Sequence, residues 1–531
     1  MRDQPSLGRP SQYLRQGVIK TAFRPRLGRQ QVHCTNRLLK CHCLGTLVKT
    51  GPNFTAEAAV EEIERLQRPA KKVVWTSPTR QIYEFDLPVT VYPPREDTSL
   101  LAEALHRLGL PNGTSCLEIG CGSGAVSIHA ATLGWRVVAC DVNPFAVACT
   151  QHHASLYGQS LTVLEGGPGP ELDGSSDQWG GDSHYDVVMW NLPYLPRPNL
   201  GDDVLGPMEE SALIDSDDKG LFLRYVERLA SGRLLKPKGV ALAVVSSLLD
   251  GRQACTIAWR QGMAARVLGE QEFDDGESLV LVAMWHPYSG KEHIHESVVE
   301  STNAILLSNS SPAGVLCTAD VQRQGRGRRG REWESLDGAL AASWVIDDGT
   351  HSLHKPVDQV HLGYYLSELF HSHGPERICL KWPNDLYVRA SMSAPWKKCA
   401  GVLFEGTTMG TGQRTVLGIG VNIVGPSNSQ FGGLDELSPL AKGDGLTAQL
   451  HAVVASMFEV LDRPNIPLTH PDLRALDKAL IFGSVALGPI FYRGDCVEVS
   501  GLDEQGSLRV KTESGAVILV DDPDQLEWSN I

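Results

Sequence analysis

No run of about 18 uncharged apolar residues occurs in the 531-residue chain, which excludes a membrane-spanning helix. A continuous apolar stretch of the secretory kind is missing as well. Excess positive charge is absent: the net charge is −14, whereas a protein whose main role is to coat nucleic acid needs a basic face to neutralise phosphate. A local basic patch stays compatible with that balance. Cysteine pairs at zinc-site spacing are lacking too, and Cys34, Cys41 and Cys43, which cluster, have no second ligand pair and read as non-metal. The other cysteines are scattered, several in apolar contexts (Cys116, Cys140, Cys317, Cys379). That is the pattern of reduced intracellular core thiols, not of a disulfide framework. Acids are nearly missing from the first fifty residues, where Asp3 alone stands against about ten Lys and Arg, among them Arg2, Arg9, Arg15, Arg24, Arg26, Arg29 and Arg37. This is the composition of an organellar transit peptide, with a disordered or merely basic extension as the alternative. The expected location is intracellular: the cytoplasm, or a mitochondrion or plastid if the segment is an address.

What is present reads as two or three soluble domains, since 531 residues, 42% hydrophobic and 21% charged, let each bury its own core. Residues 1–69 form the basic extension, 70–287 a first domain, 288–475 a second and 476–531 a third. From Ala70 to about Trp285 short apolar runs alternate with helical patterns, as in a sheet with crossover helices. Ser115 to Gly120 predicts a buried strand running into Gly120-Cys121-Gly122-Ser123-Gly124, and Ala125 to Ala130 a helix. Arg136 to Asp141 predicts a second strand, ending in an acid about twenty residues after the glycines. Such a unit places a ligand at the carboxyl ends of the strands, with the acid set to accept ribose hydroxyls. Dinucleotide binders share this pattern, so the ligand stays open at this point.

Tyr185 to Trp190 predicts a further strand, ending in Asn191-Leu192-Pro193-Tyr194. That tetrapeptide resembles the (N/D)PP(Y/F/W) motif of class I methyltransferases, which use S-adenosylmethionine to methylate an amide or amine attached to a planar group. Together with Val91-Tyr92-Pro93-Pro94-Arg95-Glu96-Asp97-Thr98-Ser99-Leu100-Leu101 it makes residues 75–285 similar to the HemK-type methyltransferases. These act on the glutamine of peptide-chain release factors, and their eukaryotic and archaeal branch is the nearer match. The resemblance implies an α/β Rossmann-like fold in which Thr98, Glu118, Gly120, Gly122, Asp141 and Asn191 contact S-adenosylmethionine, with Glu165 near the adenine. It implies that Asn191 Oδ1 and the carbonyl of residue 192 accept the protons of an acceptor nitrogen whose lone pair is delocalised, while Tyr194 supplies a flat stacking face. Leu192 stands where the family has its first proline, a form seen more often in enzymes that dimethylate adenine in ribosomal RNA. Three readings follow: a release-factor glutamine methyltransferase, an RNA adenine methyltransferase, and a methyltransferase-shaped scaffold without turnover.

His286 to Lys291, with Pro287 and Gly290, marks a linker. The helical stretch after it carries Glu300-Ser301-Thr302-Asn303, short hydroxyl and amide groups suited to capping and ligand contact. A strand at Gly314 to Ala319 feeds Gln322 and then Gly325 to Trp333, GRGRRGREW. Glycine allows close backbone approach and arginine offers forked donors for phosphate or carboxylate, so the string reads as an anion-closing loop. Taken alone it also fits an RG-rich nucleic-acid segment. Apolar runs follow at Ala339 to Ile346, Ile378 to Tyr387, Lys398 to Glu405 and Val416 to Ile423, with a helix from about Val357 to Ser372. Arg389 to Trp396 reads as a surface hairpin loop. From Gly488 to Trp528, short alternating strands with turns at 501–504 and 513–515 carry the signature of a small β-barrel.

ESTN, GRGRRGREW, KWPNDLY with KxAGxLxE, and GIGVNI occur in this order, and the set resembles the biotin–protein ligases over residues 292–530. Lipoate ligases share that fold, but their loop is of the RRxxGGG type, and Arg326 and Arg328 with Trp333 favour biotin. The resemblance implies an α+β catalytic domain followed by a small C-terminal β-barrel. ATP, biotin and Mg²⁺ are the expected cofactors, and a biotin carboxyl carrier domain the expected partner. Ser301, Thr302, Asn303, Gln322 and Gly327 are implied to hold the biotin ring and arm, with Arg326, Arg328 and Lys398 at its carboxylate and the phosphate. Arg328, Trp333, Lys381, Asn384, Asp385 and Asn422 are implied to bind nucleotide, Asp385 orienting the acceptor lysine or metal. Arg326, Arg328 and Lys398, with Asn191 and Tyr194 of the first half, are the expected catalytic groups, and no protein metal-ligand set is expected. The bacterial ligase that doubles as a repressor has a winged-helix DNA reader in front. Here the methyltransferase-like half takes that place, so neither DNA nor a membrane is an expected partner.

Overall fold

The computed structural model describes residues 68–531 except 169–178, 181–182, 194–213, 216–218, 250, 275, 334–335, 350–353, 372–374, 410–411, 427–429, 438–444, 462, 471 and 530. The basic extension with its cysteine cluster, and Tyr194, lie outside the described residues.

A hairpin of β1 (Lys71–Thr76) and β2 (Ile82–Leu87) leads to helix α1 (Glu96–Arg107). Then come β3 (Ser115–Ile119), α2 (Ala125–Thr132), β4 (Arg136–Asp141), α3 (Pro144–Leu156), β5 (Thr162–Glu165), β6 (Tyr185–Asn191), α4 (Leu221–Ala230) and β7 (Leu235–Ser246). Helix α5 (Ala254–Arg260) and strands β8 (Ala264–Glu272) and β9 (Ser278–Trp285) complete a seven-stranded sheet in the order β5-β4-β3-β6-β7-β9-β8. Strands β5 to β7 pair in parallel, while β9 runs antiparallel to both neighbours. The central strands β3, β6 and β9 are covered on both faces, so they read as apolar runs without alternation. The chain order reverses between β3 and β6, which opens a crevice at their carboxyl ends. The turn out of β3 requires glycine: Gly120, Gly122 and Gly124 have φ of 68°, 50° and 83°, and a Cβ on Gly124 would lie 2.9 Å from Thr150 Oγ1.

Past residues 286–291 the chain enters a strand, β10 (His293–Val299), and not the expected helical stretch; α6 (Thr302–Ser308) begins only after it, capped by the Ser301 hydroxyl. Strand β10 is an exposed edge, where little burial enforces an alternating pattern that a reader could see. There follow β11 (Leu316–Gln322), a ribbon of β12 (Gly325–Arg326) and β13 (Glu332–Trp333), β14 (Leu340–Asp348), α7 (Pro356–Phe370), β15 (Ile378–Lys381), β16 (Asp385–Val388), β17 (Lys397–Met409), β18 (Gly412–Val421), α8 (Leu446–Phe458) and α9 (Leu473–Leu487). Their sheet has the order β10-β11-β14-β18-β17-β16-β15 and is antiparallel except for β10 with β11. Residues 389–396 join β16 to β17 as a hairpin connection, as expected.

The last strands, β19 (Ile490–Tyr492), β20 (Asp495–Leu502), β21 (Leu508–Thr512), β22 (Val517–Val520) and β23 (Leu526–Trp528), form one antiparallel sheet in the order β22-β21-β20-β19-β23. The expected barrel does not close, because β22 and β23 stand at opposite edges and do not pair with each other among the described residues. These two edge strands have four and three residues, and helix α9 covers the sheet along β20 instead. Among the described residues no helix is long and apolar enough to cross a membrane.

Helix α9 also lies directly on the backbone of β15, since a Cβ on Gly483 would overlap the Leu380 carbonyl oxygen. The substitution Gly483→Ala is expected to lower stability by about 1–3 kcal/mol, because one of two backbones must move. An unchanged urea midpoint would show that the helix can shift freely.

Candidate active sites

The crevice of the first sheet is a narrow cavity of about 110 Å³ lined by Thr98, Glu118, Gly120, Gly122, Asp141 and Asn191, six of the residues expected there. Glu165 is not brought to it. It lies exposed at the carboxyl end of β5, paired with Asp141 across the ladder, because the short β5 is the sheet edge.

Two buried carboxyls face opposing demands. Burial pushes Glu118 up to about 8, against a hydrogen bond from the Ser127 hydroxyl that lowers it. Burial raises Asp141 to about 6, although it accepts the N–H of Asn143 at 2.8 Å and of Gly122 at 2.9 Å. Asp141 therefore shapes the glycine turn as well as the cavity.

Asp97, to which the sequence reading gave no role, is the node of this site. The residue is 2% exposed, and its carboxylate accepts from the Thr98 N–H at 2.6 Å, the Thr98 hydroxyl at 3.1 Å, the Tyr92 hydroxyl at 2.9 Å and Asn191 Nδ2 at 3.0 Å. The amide nitrogen of Asn191 is thereby engaged on Asp97, and its Oδ1 is buried without a hydrogen-bond partner among the described residues. An acceptor left unpaired in a cavity wall suits a ligand that donates. Leu192 is buried beside it, its N–H donating to the Val244 carbonyl at 3.2 Å.

The second sheet carries a cavity of about 520 Å³, within the range that holds a small-molecule ligand. Its lining includes Ser301, Thr302, Asn303, Gln322, Arg326, Gly327, Arg328, Trp333, Lys381, Asn384, Asp385 and Lys398, which are all of the expected ligase residues but one. Asn422 is the exception. It is 1% exposed, its N–H donates to the Cys399 carbonyl and its own carbonyl accepts from the Leu434 N–H, and neither its Oδ1 nor its Nδ2 has a partner among the described residues. It follows β18 directly, one position past the strand's end, and on the strand's period of two it shares a face with Gly418 and Gly420.

One floor of this cavity is a buried polar network. Gln322 Oε1 accepts from the Thr302 N–H at 3.0 Å and hydroxyl at 3.1 Å, and the Ser343 hydroxyl lies 2.7 Å from Thr302 Oγ1 and 2.5 Å from Asn303 Oδ1. Asn303 Nδ2 donates to Glu405 at 2.7 Å, and the same carboxylate pairs with Arg326 at 3.1 Å. Ser343 and Glu405 were not anticipated as site residues, although Glu405 ends the KxAGxLxE motif. Asn384 is held by donating to the Val402 carbonyl at 2.8 Å.

The opposite side is cationic. Arg328 is half-buried, burial first and Arg329 second hold its guanidinium below the usual range, and its Nη1 has no partner among the described residues. Lys381 is lowered by burial, with Asp385 opposing, and its Nζ lies 5.4 Å from the Trp528 ring. Lys398 pairs with Asp385 at 2.6 Å and lies 5.2 Å from the Trp333 ring. Arg329 and Arg331, which also line the cavity, pair with Asp522 and Asp524 of the last sheet, Arg329 at 2.7 and 2.9 Å. Arg329 turns there with φ 56°, a left-handed conformation that a non-glycine residue adopts only when held. Among the described residues no group of three His, Cys, Asp or Glu could hold a metal ion.

Comparison with known proteins follows the same division. Residues 295–422 match the Biotin/lipoate A/B protein ligase family, and residues 95–192 match the Ribosomal protein L11 methyltransferase (PrmA) family. The chain is 35% identical over 136 residues to the bifunctional ligase/repressor BirA of Escherichia coli strain K12, a match covering 24% of this chain and 39% of that protein. It is 29% identical over 237 residues to the biotin–[acetyl-CoA-carboxylase] ligase of Paracoccus denitrificans, covering 41% of this chain and 94% of the relative. Over 165 residues it is 33% identical to a candidate protein N5-glutamine methyltransferase of Methanocaldococcus jannaschii, covering 31% of this chain and 76% of the relative. The chain thus spans only about two fifths of the length of the ligase/repressor.

Two outcomes are expected from this geometry. Glu118 has a folded pKa near 8 against an ordinary 4.5, so its contribution to stability is present below pH 4.5 and is lost as pH rises through about 8. Melting temperatures of the ligand-free wild type and Glu118→Gln, compared from pH 5 to pH 9, should therefore drift in favour of the variant; parallel curves would contradict the burial. For the loop, Asp522→Asn with Asp524→Asn should speed tryptic cleavage at Arg329 and Arg331 about threefold or more, the modest effect of exposed ion pairs. Equal cleavage rates would mean that the pairs do not hold the loop.

Proposed function

Because the chain belongs to the HemK-like protein-glutamine methyltransferases through its first half and to the biotin/lipoate protein ligases through its second, we propose that it attaches biotin to a carrier-domain lysine and transfers a methyl group to a protein glutamine. The observation that carries the ligase reading is the single cavity lined both by six cations, Arg326, Arg328, Arg329, Arg331, Lys381 and Lys398, and by the hydroxyl and amide groups of Ser301 to Asn303. Biotin needs donors and acceptors around its ureido ring and cations around its carboxylate, and ATP needs cations around its phosphates. An oxygen of the biotin carboxylate attacks the α-phosphorus, the bond to the bridging oxygen breaks, and pyrophosphate leaves. Arg326 and Arg328 offset the negative charge that both anions bring together, and Arg328 Nη1 is the donor still to be satisfied. The loop over the product keeps the mixed anhydride from water. The amine of the acceptor lysine then attacks the acyl carbon, AMP departs with the bonding pair, and the amine proton is released. Asp385, held by Lys398, is suited to orient the incoming lysine. Mg²⁺, when bound, adds charge neutralisation at the phosphates; the two cavity carboxylates, Asp385 and Asp524, are both ion-paired, so the ion would be held chiefly by the nucleotide.

S-adenosylmethionine fits the first cavity by the chemistry of its donor set. Glu118 and Asp141 offer acceptors for ribose hydroxyls at the ends of β3 and β4, and the glycine turn allows close approach. The unpaired Oδ1 of Asn191 accepts a proton of the acceptor amide, keeping its lone pair toward the methyl group. The nitrogen attacks the methyl carbon, the sulfur–carbon bond breaks with its pair left on sulfur, and an amide proton is released. Leu192 in place of proline supports a second reading, with an RNA adenine as acceptor.

With biotin, ATP and a carrier domain, Arg328→Ala is expected to slow labelling by about 10²–10³-fold; an unchanged rate would remove that residue from the chemistry. For the first half, the unaltered chain should bind S-adenosylmethionine by calorimetry and transfer labelled methyl to a release-factor peptide, and Asn191→Ala should lose the transfer. Label on ribosomal RNA instead would favour the second reading, and binding without transfer to either would leave a scaffold.

A further inference from the structure

A set of buried polar contacts belongs to neither cavity. Strand β8 and helix α5 of the first half pack on helices α7 and α8 of the second, and one apolar core runs through the junction. At its centre Arg266 of β8 is 1% exposed. Its guanidinium donates from Nε to the Ser456 carbonyl at 2.6 Å, from Nη2 to those of Ala455 at 3.1 Å and Glu459 at 2.6 Å, and from Nη1 to that of Ile466 at 3.1 Å. The Trp285 ring covers it at 4.9 Å. The last carbonyls of a helix have no partner within that helix, and a cation beside them is favourable. Here the cation that ends α8 comes from the other half of the chain.

The neighbours repeat the arrangement. The Trp259 indole N–H and the Ala265 N–H both donate to the Ser456 hydroxyl at 2.8 Å. Glu459 accepts from the Trp285 indole at 2.7 Å and the Tyr288 N–H at 2.9 Å. The connecting segment is built in as well: Tyr288 is buried, its ring 5.3 Å from that of His451, in space that exists only because Gly314 has no Cβ. A buried guanidinium is tolerated only with its partners in place, and removing either side leaves unsatisfied groups in an apolar setting.

We propose that the two halves fold and unfold as one cooperative unit, with the face formed by β8 and α5 serving as the fixed structural partner of helices α7 and α8. Neither half is then an independent module joined by a tether, whatever each cavity binds. A protease recognition sequence inserted between the exposed Gly290 and Lys291 allows the full-length folded chain to be cut at the connection. The fragments are expected to co-elute one-to-one on gel filtration. Hydrogen exchange in rising urea on the uncut chain should show β3 and β17 losing protection at the same midpoint. Fragments that elute apart, or midpoints resolved from each other, overturn the proposal. Arg266→Met should lower both midpoints or prevent folding. The milder Ser456→Ala, which removes one hydroxyl, should lower both midpoints equally, and a fall confined to β17 overturns the proposal.

Discussion

Three positions without a side chain, Gly401 on β17 and Gly418 and Gly420 on β18, determine the form of the larger cavity. Gly401 and Gly420 are direct partners across the ladder, and together they leave a flat floor for the Trp333 indole, which a Cβ on either would meet at 2.9 or 2.7 Å. Gly418 leaves room for the Asn303 amide in the same way. Trp333 pairs with Gly325 at the two ends of the arginine loop, so its seat on the floor positions every residue between. The arginines then separate by task. Arg328 keeps its Nη1 without a partner among the described residues, Arg326 ties to Glu405 of the second sheet, and Arg329 and Arg331 tie to the last sheet. A loop fixed to two sheets presents its cations in one geometry, which is what a site for two mutually repelling anions requires.

The smaller cavity works by the placement of acceptors. Glu118 and Asp141 are carboxyls held in a setting that resists their ionisation, and hydroxyl donors from a ligand would relieve it. Asp97 lies behind the wall with four donors, and by engaging the Asn191 nitrogen it decides which end of that amide stays unpaired. The two sites are thus complementary in sign, one built of cations and one of acceptors, in halves joined through a buried arginine at the end of helix α8.

Local signals were the legible ones. The strand, glycine turn, helix and terminal acid at 115–141 could be read because each depends on its neighbours in sequence, and twelve of the thirteen expected ligase residues fall on one cavity because their motifs stand at the ends of adjacent strands. What was missed depends on distant partners. Asp97 meets Asn191 across 94 positions, Ser343 meets Asn303 across 40, and Arg329 meets Asp524 across 195. Asn422 was assigned by its motif; it is buried one residue past β18 and is absent from the cavity lining, although it has the parity of Gly418 and Gly420. The barrel expectation failed for a related reason: strand spacing along the chain predicts hairpins, while closure depends on whether the first and last edges meet.

The claim on which the rest turns is that the larger cavity makes and retains an acyl-adenylate. The most direct measurement mixes the full chain with biotin and ATP labelled at the α-phosphorus, without any acceptor, and passes the mixture through gel filtration. About one labelled biotinyl-adenylate per chain is expected to travel with the protein, and none when biotin is omitted. Label that never stays with the protein, or stays equally well without biotin, would contradict it.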